Sequence, residues 1–212
     1  MKDLSDYRKS YGKRELLENA IPDDPINLFN RWFFEAAEAA NGGEANAMTV
    51  STVGQDGFPK SRVVLLKKFS EEGFIFFSNY HSEKGRAIDS NPNVCLSFYW
   101  PVSEQQVIIK GRAEKTDIAV SDNYFDSRPE GSRLGAIASN QSEVIPSREF
   151  IENKLNALEK NLPEDQIKRP GHWGGYLVRP VEVEFWQGRA NRLHDRIRYR
   201  LSEDWIIERL AP

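Results

Sequence analysis

From Ala47 onward the chain breaks into short runs rich in Val, Ile, Phe and Thr, each closed by turn residues, and that rhythm admits few architectures. AMTVSTV, SRVVLLKKF and FIFFS are separated by residues 54–57 and by Glu71-Glu72-Gly73, the punctuation of antiparallel hairpins. NVCLSFYW and QQVIIKGRAEK continue it, and the tail returns to it in GGYLVRP, VEVEFWQG, DRIRYRL and DWIIERL. Strands so short, so numerous and so often joined by tight turns predict a mainly β chain with α: an antiparallel barrel with peripheral helices, not a parallel α/β sheet.

Helices interrupt this pattern at few places. Asp24 caps a helix opened by Pro25, in which Leu28, Phe29, Trp32, Phe33, Ala36, Ala37 and Ala40 recur on one face and Asn41-Gly42-Gly43 ends the run. Ser82 caps a short helix through Ser90 that Pro92 stops. Two more are expected over residues 117–126 and 147–161, the latter with Phe150, Ile151, Leu155 and Leu158 on one face. The 212 residues divide into an N-terminal arm (1–22), a barrel with helices (23–162) and a C-terminal segment (163–212) behind a linker at 163–171 that holds two prolines.

Composition removes several function classes. A net charge of −3 argues against bulk affinity for nucleic acid or an anionic membrane. No stretch is apolar enough for a membrane span, and MKDLSDYRKS lacks a secretory signal, so a cytoplasmic location is expected. The single Cys95, inside NVCLSFYW, reads as a small buried hydrophobe. Three scattered histidines and one cysteine leave no metal site to expect. There is no GxSxG elbow, phosphate-binding GxxxxGK loop, GxGxxG after a strand, or HExxH.

What stands out is cationic and hydroxyl chemistry in three places. Arg62 and Lys67 bracket RVVLLK, and Ser78, Ser82 and Lys84 follow at a strand-to-helix junction suited to an anion. Lysines and arginines that merely guard strand edges are the competing reading. An interval of five aims Arg62 and Lys67 at opposite faces of a regular strand, so they share a site only across a bulge or a strand end. In YFDSRPEGS, Tyr124, Arg128 and Ser132 stand four apart, but Pro129 and Gly131 break the helix, so the group wraps a helix end and suits a second phosphate. In WQGRANRLHDRIRYR, an extended backbone would bring Arg192, His194 and Arg196 to one face. Such a concentration of charge suits the electron-rich end of a reduced flavin. A solvated arginine-rich edge and an RNA patch are the alternatives, and Glu203, Asp204 and Glu208 speak against RNA.

These motifs together resemble a known family. From RKSY at Arg8 to the terminal ERLAP, the chain is similar to the pyridoxine (pyridoxamine) 5'-phosphate oxidases, which carry RVVLLK, YF-x-SRP, QS, a WGGY-like entry to the last segment, and WQG followed by RLHDR. The resemblance implies a split β-barrel, FMN-binding, that forms a homodimer with two sites built from both protomers. It implies that Arg62, Ser78 and Lys84 hold the flavin phosphate, that Val63, Val64, Leu65, Leu66, Lys67 and Phe77 line the cofactor, and that Gln106, Gln141, Ser142, Trp186 and Arg196 complete its site. Lys67, Tyr124, Arg128 and Ser132 would bind the substrate phosphate. Arg192 and His194, the implied catalytic pair, would face the pyridine ring with Leu193 between them. Arg8 and Tyr11 would belong to an arm that closes over it.

The implied reaction oxidises pyridoxine or pyridoxamine 5'-phosphate to pyridoxal 5'-phosphate with O2, releasing H2O2. The chain departs from the family pattern at Glu83, where a basic residue is common, and at Asn140, where a lysine is common. The rivals are a split-barrel flavin enzyme with another substrate, such as a phenazine-type oxidase or a deazaflavin-dependent reductase, and a flavin-binding protein without catalysis.

Overall fold

The computed structural model describes all residues, 1–212. Nine strands and five α-helices follow one another as α1 (Pro25–Ala39), β1 (Ala47–Val53), β2 (Pro59–Leu65), β3 (Lys68–Ser70), β4 (Gly73–Asn79), α2 (Glu83–Ser90), β5 (Asn93–Trp100), β6 (Gln105–Lys115), α3 (Ile118–Asp126), α4 (Glu130–Ala138), α5 (Arg148–Asn161), β7 (Trp173–Gln187), β8 (Asp195–Leu201) and β9 (Trp205–Leu210). The strands form one sheet in the order β2-β1-β5-β6-β7-β4-β3, with β8 added to β7 and β9 to β8. This is the mainly β class with helices that the strand rhythm predicts. The chain resolves into two compact units, Met1–Val50 with Cys95–Gly111 and Pro180–Pro212, and Ser51–Val94 with Arg112–Arg179.

In the first unit the core is aromatic. Asp24 accepts a hydrogen bond from the Ile26 amide at 2.7 Å and caps α1. The helix then buries Leu28, Phe29, Trp32 and Ala36. Phe29 meets Phe98 edge-on at 5.1 Å, and Trp32 meets Phe185 likewise at 5.2 Å. Burial of each such side chain contributes roughly 1.5–3 kcal/mol. The helix stops where Asn41 and Gly42 take φ of 44° and 92°, the left-handed backbone that glycine adopts without strain.

In the second unit SRVVLLKKF is not one strand. β2 ends at Leu65 and β3 begins at Lys68, because Leu66 turns inward to 4% exposure while the Lys67 amide bonds to the Ile75 carbonyl at 2.8 Å. Conversely GGYLVRP and VEVEFWQG form one strand of 15 residues, β7, running through Pro180. The proline falls between the β4 and β8 ladders. Residues 173–178 pair antiparallel with β4 and residues 182–187 with β8, so the missing N–H interrupts neither.

The helix α4 was not foreseen, although a proline followed by Glu130 is a recognisable start signal. It contributes Leu134 to a cluster with Phe125, Ile167 and Trp173, against which Leu155 and Leu158 of α5 pack. Phe150 differs from its expected place on that face. It is 39% exposed, with the Lys154 ammonium 4.9 Å over its ring. Residues 163–171 carry Ile167 into the same cluster and Arg169 onto Asp122 at 2.6 Å. Residues 1–22 hold one short 3-10 turn, Glu18–Ala20, and bury Leu16.

Candidate functional site

A cleft of about 850 Å³ opens in the second unit, lined by Arg62, Val63, Val64 and Leu65 of β2, by Lys67, and by Phe77 and Ser78 of β4. Lys84 of α2, Tyr124 of α3, Arg128, Ser132 of α4, Gln141 and Trp173 of β7 also line it. The strand end at Leu65 supplies the break that lets Arg62 and Lys67 face one space. Four cations and no carboxylate line the cleft. An arrangement of that kind is destabilised by its own charge unless an anion enters.

Lys84 is the buried cation of the set, 8% exposed. Its ammonium donates to Gln141 Oε1 at 2.9 Å, Ser78 Oγ at 3.0 Å and Ser82 Oγ at 3.4 Å. All three acceptors are neutral. Burial and then the Arg62 charge push the ammonium down to about 8, against the pull of Glu83. Ser82 reaches there because it caps α2, its Oγ accepting from the Gly85 amide at 3.3 Å. Arg62 is braced by Thr52 Oγ1 at 2.8 Å and the Lys60 carbonyl at 2.7 Å. Burial lowers it too, with Glu83 opposing. Glu83 itself turns to Lys60, 2.6 Å away, and lies outside the cleft lining, as does Asn140, which bonds Glu143 at 2.9 Å.

In the same cleft three rings lie nearly parallel. Phe77 and Tyr124 stand 3.9 Å apart at 22°, and Phe77 and Trp173 stand 5.6 Å apart at 14°. The Arg128 guanidinium rests over the Trp173 ring at 4.7 Å. Its Nη1 is buried without a hydrogen-bond partner, and burial pushes its affinity for the proton down, Tyr124 opposing. The chain wraps here as expected: α3 ends at Asp126, Arg128 follows, and Ser132 stands in the first turn of α4. Trp173 was missed as a site residue. Only the WGGY pattern hinted at it, and its two glycines have a steric cause, since a Cβ on Gly174 would lie 2.1 Å from the Tyr80 hydroxyl and one on Gly175 2.6 Å from Thr116 Oγ1.

A second group forms in the first unit. His194 packs on Trp186 at 4.6 Å, and Tyr11 meets both edge-on at 5.9 and 5.7 Å. The His194 Nδ1 accepts from the Arg189 amide at 3.1 Å, which leaves the proton of the neutral ring on Nε2. Burial and then Arg192 lower its proton affinity, Asp195 opposing.

The extended reading of RLHDR does not hold. Ala190–Arg192 is a 3-10 turn, with Asn191 and Arg192 at φ of 56° and 61°, and β8 starts only at Asp195. Arg192, His194 and Arg196 therefore do not share a face by alternation. Arg196 already has an anion, Glu184, at 2.8 Å.

Other expected residues stand apart from these groups. Leu66 points into the core and is not among the lining residues. Gln106 bonds Ser97 Oγ at 3.4 Å. Ser142, at φ 75°, lines a smaller hollow of about 300 Å³ with Gln141 and Val144. Arg8 bonds the Ser5 carbonyl at 2.7 Å, and Leu193 is 67% exposed. Cys95 is half-buried and free, and burial raises its thiol.

The pyridoxamine 5'-phosphate oxidase model matches residues 35–161, and a pyridoxine 5'-phosphate oxidase C-terminal dimerisation region matches residues 173–212. This chain belongs to the pyridoxamine 5'-phosphate oxidase family. A relative from Flavobacterium johnsoniae named pyridoxine/pyridoxamine 5'-phosphate oxidase is 68% identical with both chains covered in full. One of the same name from Neisseria meningitidis serogroup B is 50% identical over 99% of this chain and 100% of its own. Among solved structures, PhzG from Burkholderia lata, in complex with tetrahydrophenazine-1-carboxylic acid, superposes with TM-score 0.86 at 29% identity over 95% of this chain and 100% of that one. A pyridoxamine 5'-phosphate oxidase-related, FMN binding protein from Nostoc punctiforme shares the fold, with TM-score 0.70 at 18% identity over 91% and 100%. The fold is thus the split barrel of this family, and the chain is an oxidoreductase. No helix is long and apolar enough to cross a membrane.

Proposed function

We propose that this chain is an FMN-dependent oxidase that converts pyridoxine 5'-phosphate and pyridoxamine 5'-phosphate to pyridoxal 5'-phosphate, with O2 as electron acceptor and H2O2 as product. The observation that carries the reading is the cleft with four cations, no carboxylate and an orphaned buried Arg128 Nη1. Two monoester groups fit that chemistry, one at each end. The full-length similarity to named oxidases supports the substrate.

The donor set fits FMN: Lys84 offers its ammonium beside the Ser78 hydroxyl, and Arg62 of β2 lines the same cleft. When bound, the flavin supplies the two-electron acceptor that no side chain provides. The residues of the chain do the rest. Arg62, Ser78 and Lys84 hold the cofactor phosphate, with Val63, Val64, Leu65, Lys67, Phe77 and Gln141 around it. Lys67, Tyr124, Arg128 and Ser132 hold the substrate phosphate, the Arg128 plane kept by Trp173. His194, neutral and with Nε2–H free to donate, and Arg192 face the pyridine ring, and Trp186, Arg196 and Gln106 complete the surroundings. Orientation of this kind contributes on the order of 7–11 kcal/mol when alignment is good.

In this reading the protein works as a homodimer in the cytoplasm, residues 173–212 serving the association that their matched region is named for. The phenazine ligand of the Burkholderia structure favours a second reading, a split-barrel oxidase with another aromatic substrate. One experiment separates them. Purified protein should show a flavin spectrum that bleaches when pyridoxine 5'-phosphate is added without oxygen and returns with air. A flavin that stays oxidised would exclude the substrate, and colourless protein that takes up no FMN would exclude the cofactor.

A further inference from the structure

Glu104, between β5 and β6, is a buried acid, its side chain 3% exposed, on a backbone at φ 58°. Its carboxylate is turned toward the N-terminal arm. Oε2 accepts from the consecutive amides of Gly12 at 2.9 Å and Lys13 at 3.1 Å, and Oε1 meets the Lys9 ammonium at 3.4 Å. Burial would raise this acid, but the two amides and Lys9 outweigh it and hold the carboxyl below its ordinary range. The carbonyl of the same residue accepts from the Gly188 amide at 2.8 Å and from Gln187 Nε2 at 3.1 Å. One residue therefore grips the arm by its side chain and the end of β7 by its backbone. Tyr11 lies between the two grips, edge-on to Trp186 and His194. It fits because residue 188 is glycine, where a Cβ would stand 2.8 Å from Tyr11 Cγ.

We propose that Glu104 is a positioning residue, a latch whose carboxylate holds residues 9–13 in the one conformation that sets Tyr11 against His194. The arm has no strand or helix of its own over these residues, so its order depends on side-chain bonds of this kind. A charged acceptor shared by two amides and an ammonium is among the stronger of them. The kinetic part of the inference rests on the reading of His194 as facing substrate, whereas the latch itself does not.

The test is amide hydrogen exchange of the full-length protein without substrate, comparing Glu104→Ala, Glu104→Gln and Gly12→Pro with the native chain. In Glu104→Ala, exchange over residues 9–13 should speed at least tenfold while β7 and β8 stay protected. Glu104→Gln, which keeps an acceptor oxygen, should fall between. Exchange over 9–13 that does not change, or that rises together with β7 and β8, would overturn the latch.

Gly12→Pro removes one donor from the arm and leaves Glu104 in place. It should raise KM for pyridoxine 5'-phosphate, by less than the roughly tenfold of Glu104→Ala because the Lys13 amide and Lys9 remain, with kcat little changed in both, and the double variant should not exceed Glu104→Ala. Independent, additive effects would overturn the positioning role. If the native protein does not turn over this substrate, the functional reading fails on its own, and the exchange measurement still decides the latch.

Discussion

Lys84 shows how burial of one residue would bear on the proposed binding of FMN. Its ammonium titrates near 8 in the free site because burial and Arg62 disfavour the charge. A bound phosphate stabilises the charge and raises that value, so the bound form holds the proton more tightly than the free form. Affinity for FMN should therefore be level below about pH 8 and fall as pH rises through it, by up to about tenfold per unit. Quenching of FMN fluorescence between pH 6.5 and 9.5 measures this, and Lys84→Arg, always charged, should flatten the fall. Arg128 gives a second prediction at this scale. Removal of its charged hydrogen bonds to a phosphate costs about 1.5–3 kcal/mol, so Arg128→Ala should raise KM for pyridoxine 5'-phosphate roughly 10- to 150-fold with kcat within a few-fold, measured by steady-state turnover. Both residues were legible in the sequence as cations near hydroxyls. What was not legible is the distant company they keep: for Lys84 the Gln141 amide oxygen from 57 positions along, and for Arg128 an indole from 45, which no local spacing encodes.

Among the elements, the capped helices are legible from local signals, whereas α4, despite its Pro129-Glu130 start, and the strand boundaries are not. Asp24 and Ser82 each accept the capping bond expected of them, and Ser147 caps α5 in the same way. Asp24→Ala should accordingly cost about 1 kcal/mol in urea unfolding. The division of SRVVLLKKF and the fusion of the two segments around Pro180 escaped because partners decide both. A strand ends or continues according to which neighbour satisfies its backbone, and β7 changes neighbour at the proline. Trp173, at the start of β7, stacks with Phe77 of β4 and Tyr124 of α3 and lies under Arg128. Trp173→Leu should lower the melting temperature, by about 2–3 kcal/mol of lost packing, and raise KM for the phosphorylated substrate about tenfold. Trp173→Phe should restore much of the second effect. A KM unchanged in the leucine variant would mean that Arg128 holds its plane without the indole.

For the whole molecule, a site that draws on both protomers, as the proposed function has it, would tie cofactor retention to association. Sedimentation of the purified protein should give twice the 24.3 kDa chain mass, and on dilution FMN release should follow dimer dissociation with the same midpoint. FMN retained on monomers would contradict a shared site. The sequence by itself determined the mainly β class, the capped helices, the gathering of cations and hydroxyls around Arg62 and Lys84, and the family, because these depend on local period, caps and contiguous motifs. Only the tertiary structure decided that a strand end brings Arg62 and Lys67 to one cleft, that Glu184 already neutralises Arg196, that the backbone of RLHDR is turned and not extended, and that Glu104 holds the arm. Glu184 reaches Arg196 and Glu104 reaches the arm from distant parts of the chain, while the strand end and the RLHDR turn are local backbone choices; all four are settled by packing and backbone satisfaction, which spacing along one segment does not record.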